Sequence, residues 1–486
     1  MRSSRPTGNA LFELFELKAF ADATSASLPR ATDHEFPFPN SPFPTSSFKP
    51  QTSNHGRIPN SRFRQFPIPF LILRRPIVWY NSRVDFTLTD CYCASALGRG
   101  AEETLANYLA RKAPGMTWLE GDVPSRRIRF GMVPGDLPET DDPEFRMRAS
   151  GLLALAADGM RASIEKLLSK YGADRVGIVL GASNTGIDEA QRYISDWLGA
   201  GRARCPQRAE DSSLPRRLED KPPYQSCGAA GKPEELDFSM IELGTPADYL
   251  ARITGVKGPA YCVSTACSSS GKAFASARRL VEAGVIDAAI TGGVDGRCRF
   301  AMNGFESLGA LSQGECRPLS PDRDGINLGE GVALFALERG SEGVKLAGVG
   351  ESSDACHPTA PDPEGRGAEA AMRAAMAEAG WSAGDIDYVN LHGTGTPAND
   401  EMELKACTRI FGTPGIGGDF EAAKPRLEST KGLTGHCLGA AGAVEAALCW
   451  LLVRSGRVQR ALSNSFAFGG SNVCVAFGKG GSNFKL

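Results

Sequence analysis

The sequence predicts an α/β fold with largely parallel sheets. Short apolar, β-rich runs alternate with amphipathic helical stretches from about residue 85 onward, and the alternation repeats in a second half. Val176–Leu180 is an apolar run ending at Gly181, as a strand buried on both faces reads. Tyr261–Thr265 is a second such run. Ser270–Ala283 then sets Ala273, Phe274, Ala277, Leu280 and Val281 on one helical face, with Gly284 as its stop. Ala288–Thr291 reads as a strand before Gly292 and Gly293. In the second half, Ile386–Leu391 reads as a strand, Ala441–Arg454 as a strongly apolar helix stopped near Gly456, and Val473–Phe477 as a closing strand.

Length and composition narrow the class. A chain of 486 residues suits two to four domain-sized units with a large core. Lys+Arg (54) nearly balance Asp+Glu (56), which argues against nucleic-acid binding. No run of 18 apolar residues is present, so no membrane span is expected. Thirteen Cys at irregular spacing read as reduced thiols of a cytoplasmic compartment rather than as a disulfide scaffold.

Residues 1–84 differ from the rest: they hold 11 of the 31 Pro and 10 of the 24 Phe, but 2 of the 56 Gly and none of the Cys. Pro-rich runs such as Phe36-Pro37-Phe38-Pro39 sustain neither a helix nor a central strand. The expectation is a poorly ordered extension without a part in catalysis. A second stretch, 201–235, is dense in Pro, Gly and mixed charge and reads as a surface insertion. Its Gly228-Ala-Ala-Gly-Lys232 is no phosphate loop, because Pro233 stands where Ser or Thr is required.

Three clusters carry chemistry. Ser264-Thr-Ala-Cys267-Ser-Ser-Ser270-Gly271 turns from a β-run into a helix with Cys267 at the junction. A thiol at a helix N-terminus meets unpaired N–H groups and the positive dipole end, so a thiolate is expected there. A buried structural cysteine is the alternative reading of this cluster alone. Asn390-Leu-His392-Gly-Thr394-Gly-Thr396-Pro397 follows a strand; its glycines admit close approach of a ligand, and its two hydroxyls suit an amide-bearing arm. Ser429-Thr-Lys431-Gly-Leu-Thr-Gly435-His436 runs into a Gly/Ala-rich helix. Two imidazoles converging on a thiol can donate hydrogen bonds to a carbonyl whose oxygen becomes negative, and Lys431 adds positive charge. His357, in a Pro-rich loop, is expected to be an ordinary surface residue.

With these clusters, and with Arg323-Asp-Gly325, Gly329-Glu-Gly331 and Phe466-Ala-Phe468-Gly-Gly-Ser-Asn472, the chain resembles the β-ketoacyl-acyl carrier protein synthases, condensing enzymes of the thiolase-like superfamily, from Phe86 to Lys479. The resemblance implies a thiolase-like five-layered αβαβα fold of two similar halves, 85–340 and 341–480. Cys267 would accept the acyl group, and His392 and His436 would polarise the malonyl thioester carbonyl. Lys431 matches the lysine beside that pair, Glu403 the buried acid, and Thr394 and Thr396 the contacts to phosphopantetheine. Phe468 matches the gating aromatic whose backbone N–H, with that of Cys267, forms the oxyanion hole. His rather than Asn at 436 implies the elongating, decarboxylative subtype, with no metal and no bound cofactor. Substrates would ride on acyl carrier protein, and the chain would pair as a homodimer or with a related synthase subunit. Leu311-Ser, Gly350-Glu-Ser-Ser353 and Ser465-Phe-Ala-Phe468 are also similar to a subgroup tied to special lipids or aryl polyenes.

Two features depart from that pattern: Asp90-Cys-Tyr-Cys93 in the first strand region, and Leu319-Ser-Pro-Asp322 before Arg323-Asp-Gly325. Cys91 and Cys93 have no second pair to complete a metal site. Two rival readings remain at this level: a thiolase-like CoA condensing enzyme, which would use acetyl-CoA in place of malonyl carrier protein, and a non-catalytic partner subunit of a polyketide complex, which would not need Cys267.

Overall fold

The computed structural model describes residues 84–203, 238–412, 415–416 and 424–480. The expected extension at 1–84 and insertion at 201–235 fall outside the described residues, apart from Val84 and residues 201–203. Among the described residues, no helix is long and apolar enough to cross a membrane.

Among the described residues, ten strands build two repeats of one topology. The first repeat comprises β1 (Phe86–Ser95), β2 (Val176–Gly181), β3 (Ala260–Val263), β4 (Ala288–Asp295) and β5 (Gly331–Arg339). The second comprises β6 (Val344–Ser353), β7 (Tyr388–Asn390), β8 (Arg426–Glu428), β9 (Arg460–Phe466) and β10 (Ser471–Lys479). Their spatial orders are β3-β2-β4-β5-β1 and β8-β7-β9-β10-β6, the same third-second-fourth-fifth-first arrangement. A short antiparallel pairing, Thr87 with Lys345 and Leu88 with Val344, joins the two into one sheet of twelve strands, which Gly98–Arg99 and Gly415–Ile416 complete.

The expectation of largely parallel sheets is corrected. β3, β2 and β4 run parallel, as do β8, β7 and β9, but β5, β1, β6 and β10 pair antiparallel with their neighbours. The cause lies in the connections. Only four residues separate β9 from β10, a hairpin that admits no parallel partner, whereas β2, β3 and β4 are linked through helices. The strand at Ala288 also runs on through Gly292 and Gly293 to Asp295. Those glycines are demanded by close approach: a Cβ on Gly292 would lie 1.9 Å from the Ala333 carbonyl oxygen, and one on Gly293 2.5 Å from Ser270 Cβ.

Helices fill three layers around the two sheet regions. On one outer face lie α1 (Arg148–Gly159), α2 (Arg161–Tyr171) and α3 (Thr245–Thr254), which pack on the first repeat. Between the repeats lie α4 (Ser269–Glu282) and α7 (Ala441–Arg454), which touch strands of both. The other outer layer is α5 (Arg366–Ala379) and α6 (Pro397–Phe411). The three largest hydrophobic cores among the described residues follow this layering: one between the sheet regions around α4 and α7, and one under each outer layer. The five-layered arrangement of two similar halves is therefore present.

Phe274, on the expected apolar face of α4, is fully buried. Its ring packs edge-on against Phe335 of β5 at 5.0 Å and Phe477 of β10 at 6.2 Å, so one side chain bridges both repeats. Phe274→Ala should destabilise the protein by about 3–5 kcal/mol in urea unfolding, whereas a loss below about 1 kcal/mol would contradict this central packing.

Candidate active site

Each chemical residue sits just past the carboxyl end of a parallel strand, where open α/β sheets place their ligands. Cys267 follows β3. The chain turns sharply there, with Ala266 held at φ +52, a left-handed conformation that costs an alanine free energy and persists because its surroundings fix it. His392 follows β7. The fully buried Glu403 of α6 accepts the backbone N–H groups of His392 and Gly393, both at 2.8 Å, and the Asn464 side-chain amide at 3.0 Å. Glu403 thus shapes the loop carrying His392. Burial pushes its acid up to about 7 despite those three donors. The third cluster follows β8, and there the His436 N–H donates to the Asn327 carbonyl at 2.7 Å.

The structure brings Cys267, His392 and His436 together across the two repeats. Their donor atoms all lie within 4.8 Å of one another. His436 Nε2 is 2.9 Å from Cys267 Sγ, and the two imidazole rings meet edge-on with centroids 5.3 Å apart. One sulfur and two imidazole nitrogens are also a donor set that zinc favours, and this is the cluster of that kind among the described residues.

Both imidazoles are held well below the usual histidine range, chiefly by burial and then by the charge of Lys431. They are therefore neutral at physiological pH. Lys431, fully buried, lies 3.4 Å from His392 Nδ1 and is ion-paired with Glu445 of α7. An ammonium only donates, so His392 Nδ1 is the acceptor and the ring proton sits on Nε2. Lys431 does add positive charge, as expected, but an acid the sequence reading overlooked balances it. Glu445 is the one acid in the apolar run Ala441–Val453, and an acid buried in such a helix calls for a partner.

The thiolate expected at Cys267 is corrected. Burial pushes the thiol up to about 12, with the charges of Glu445 and Asp295 adding to it and that of Lys431 opposing it. The helix N-terminus gives little relief, because the N–H groups of Ser268 and Ser269 already donate to the Thr265 and Ala266 carbonyls. At rest the site is a neutral thiol beside a neutral imidazole, and His436 Nε2 is placed to take the proton when sulfur attacks.

A cavity of about 280 Å³ leads to these groups. Thr394 and Thr396 line it, with their hydroxyls 2.8 Å apart. Phe468 stands on its wall, 39% exposed, and stacks on Phe305 with centroids 5.7 Å apart. Phe468 lies in the hairpin between β9 and β10, where Gly469 and Gly470 take positive φ. His357 is away from this trio; its Nδ1 accepts the backbone N–H groups of Thr359 and Ala360 in an exposed loop.

Two outcomes follow. Alkylation of Cys267 by iodoacetamide should quicken about tenfold per pH unit from pH 6 to 9 without a plateau, since only the thiolate reacts; a plateau below pH 8 would reveal a resting thiolate. Lys431→Met should cost about 3–5 kcal/mol in unfolding experiments, and adding Glu445→Leu should restore most of it, because the penalty lies in the unpaired buried charge.

Comparison with known proteins shows the family. The beta-ketoacyl synthase N-terminal domain matches residues 243–343, and the beta-ketoacyl synthase C-terminal domain matches residues 344–464. Nodulation protein E of Rhizobium leguminosarum bv. trifolii is 36% identical over 380 residues, covering 70% of this chain and 86% of that protein. The chain spans 62% of the length of nodulation protein E from Rhizobium meliloti, at 37% identity over 259 residues. It is 36% identical over 267 residues to 3-oxoacyl-[acyl-carrier-protein] synthase 2 of Staphylococcus aureus (strain COL), which covers 46% of this chain and 63% of that one. Among solved structures, a ketosynthase from Xenorhabdus doucetiae in complex with its chain length factor aligns with a TM-score of 0.70 and 35% identity, over 82% of this chain and 98% of that one. The chain belongs to the beta-ketoacyl synthase family.

Proposed function

We propose that this protein is a 3-oxoacyl-acyl carrier protein synthase that joins an acyl group held on Cys267 to malonyl-carrier protein with loss of CO2. The observation that carries this reading is the 2.9 Å contact between Cys267 Sγ and His436 Nε2, with His392 beside them at the end of a cavity lined by Thr394 and Thr396. The Cys267 sulfur attacks the acyl thioester, its proton passes to His436, and the carrier's thiol leaves protonated. Once sulfur is acylated, His436 Nε2 is released to the second substrate. His392 Nε2–H and His436, its single ring proton now on Nε2 instead of Nδ1, then hold the thioester oxygen of the malonyl group as CO2 departs. The resulting enolate attacks the Cys267 thioester, and the released sulfur regains a proton from solvent. The backbone N–H groups of Cys267 and Phe468 would receive the tetrahedral oxyanion. Two neutral donors suffice, because decarboxylation supplies the carbanion and no strong base is required.

Carrier-bound substrates are supported by Thr394 and Thr396 lining the cavity, where hydroxyls would suit an amide-bearing pantetheine arm. No bound cofactor enters this scheme. The product would serve fatty acid or polyketide assembly, an aryl polyene included. A partner subunit, identical or related, fits the open edge of β3, whose four residues are all half-buried and which ends the sheet. Eleven cysteines among the described residues are unpaired, in keeping with a reducing, cytoplasmic setting.

Incubation with acyl-carrier protein should add one acyl group to a Cys267 peptide in mass spectrometry, and Cys267→Ala should abolish condensation. No adduct, or one on another cysteine, would count against the synthase reading, and product formation by a purified complex that Cys267→Ala leaves unchanged would favour the partner-subunit one. Condensation with acetyl-CoA but not malonyl-carrier protein would favour the thiolase-like one.

A further inference from the structure

Asp295, the last residue of β4, is fully buried, and all four of its acceptor positions are taken. Oδ1 accepts the backbone N–H groups of Ser183 at 2.9 Å and Asn184 at 2.8 Å. Oδ2 accepts the Ser183 hydroxyl at 2.6 Å and the Gly439 N–H at 2.6 Å. Ser183 and Asn184 follow β2 and, like Asp295, belong to the repeat that carries Cys267. Gly439 belongs to the other repeat and lies three residues after His436, across a turn in which Leu438 is held at φ +50.

The contact leaves no room at Gly439. A Cβ there would stand 2.6 Å from Asp295 Oδ2 and 2.8 Å from the Ser183 nitrogen. Burial pushes the Asp295 acid up to about 6, so at neutral pH it is still mainly a carboxylate, which is the form that accepts four donors. Its charge works against ionisation of Cys267. A benefit to the sulfur therefore does not account for an acid at this position, whereas its bonds across the two repeats do.

We infer that Asp295 is a positioning residue: its carboxylate clamps the turn carrying His436 onto the repeat carrying Cys267 and so sets the approach of the imidazole to the sulfur. The inference rests on the proposed roles of Cys267 and His436. Backbone bonds from Asn327 and Gly329 hold the other side of His436, so the turn is fixed from two directions. Removing the clamp would leave one hold and a strained turn free to relax.

The test uses the full chain and two variants that break the clamp from opposite sides. Asp295→Asn removes acceptors while keeping shape, and Gly439→Ala keeps the charge while forcing the contact apart. Each protein is acylated, the fraction of acylated Cys267 is counted by mass spectrometry, and CO2 release from malonyl-carrier protein is measured per acylated site. Both variants should lose about 10–100-fold in kcat, with KM for malonyl-carrier protein within about twofold of wild type, the scale expected for misplacement by about an ångström. Counting acylated sites removes any loss of folded protein, so a merely structural role would leave the rate per site unchanged. Wild-type rates per site in both variants would overturn the clamp alone, as would a loss confined to Asp295→Asn, which would assign the effect to charge. A wild-type protein that takes no acyl group on Cys267 would overturn the synthase reading itself.

Discussion

The structure depends on one constraint: a polar reaction centre of a thiol and two imidazoles has to be buried where two repeats meet. Burial costs any charge its hydration, so the thiol is pushed up and both histidines down. What survives is a set of neutral groups that can give and take protons without first paying for ionisation. The charges that remain are tied off individually. Lys431 has Glu445, Glu403 has two backbone N–H groups and the Asn464 amide, and Asp295 has its four donors. Each compensation also fixes a loop of the site, so electrostatic balance and geometric precision come from the same contacts.

The repeated topology explains why the centre can be assembled at all. Both repeats place their second and third strands parallel, with the loops after them at the same end of the sheet. One repeat contributes Cys267 after its third strand. The other contributes His392 after its second and His436 beyond its third. The central helices α4 and α7 then lie against each other, and glycines allow the closeness: a Cβ on Gly442 would meet the Gly271 nitrogen at 2.9 Å.

Much of this was legible in the sequence, and what was not has physical reasons. The helix Ala441–Arg454 was read at the boundaries the structure gives, because its apolar run and Gly456 are local signals. Cys267, His392 and His436 stood out because three short motifs carry them. Strand direction was not legible, since an apolar run looks alike whichever way its neighbour runs; the short β9–β10 connection was the available clue. The state of the Cys267 thiol was misjudged because a helix N-terminus is visible in sequence, whereas depth of burial and pairing of the first N–H groups are not. Glu445 was hidden inside a helix read for its apolar character, and Asp295 inside a strand whose end was drawn four residues too early.

The most direct test is the stoichiometry of a single turnover. The purified protein, pre-acylated on Cys267 and mixed with malonyl-carrier protein, should release one CO2 for each 3-oxoacyl product and for each acyl group leaving the sulfur. Product formed without CO2, or while the acyl group stays on Cys267, would contradict a condensation carried out by that sulfur and the two imidazoles facing it.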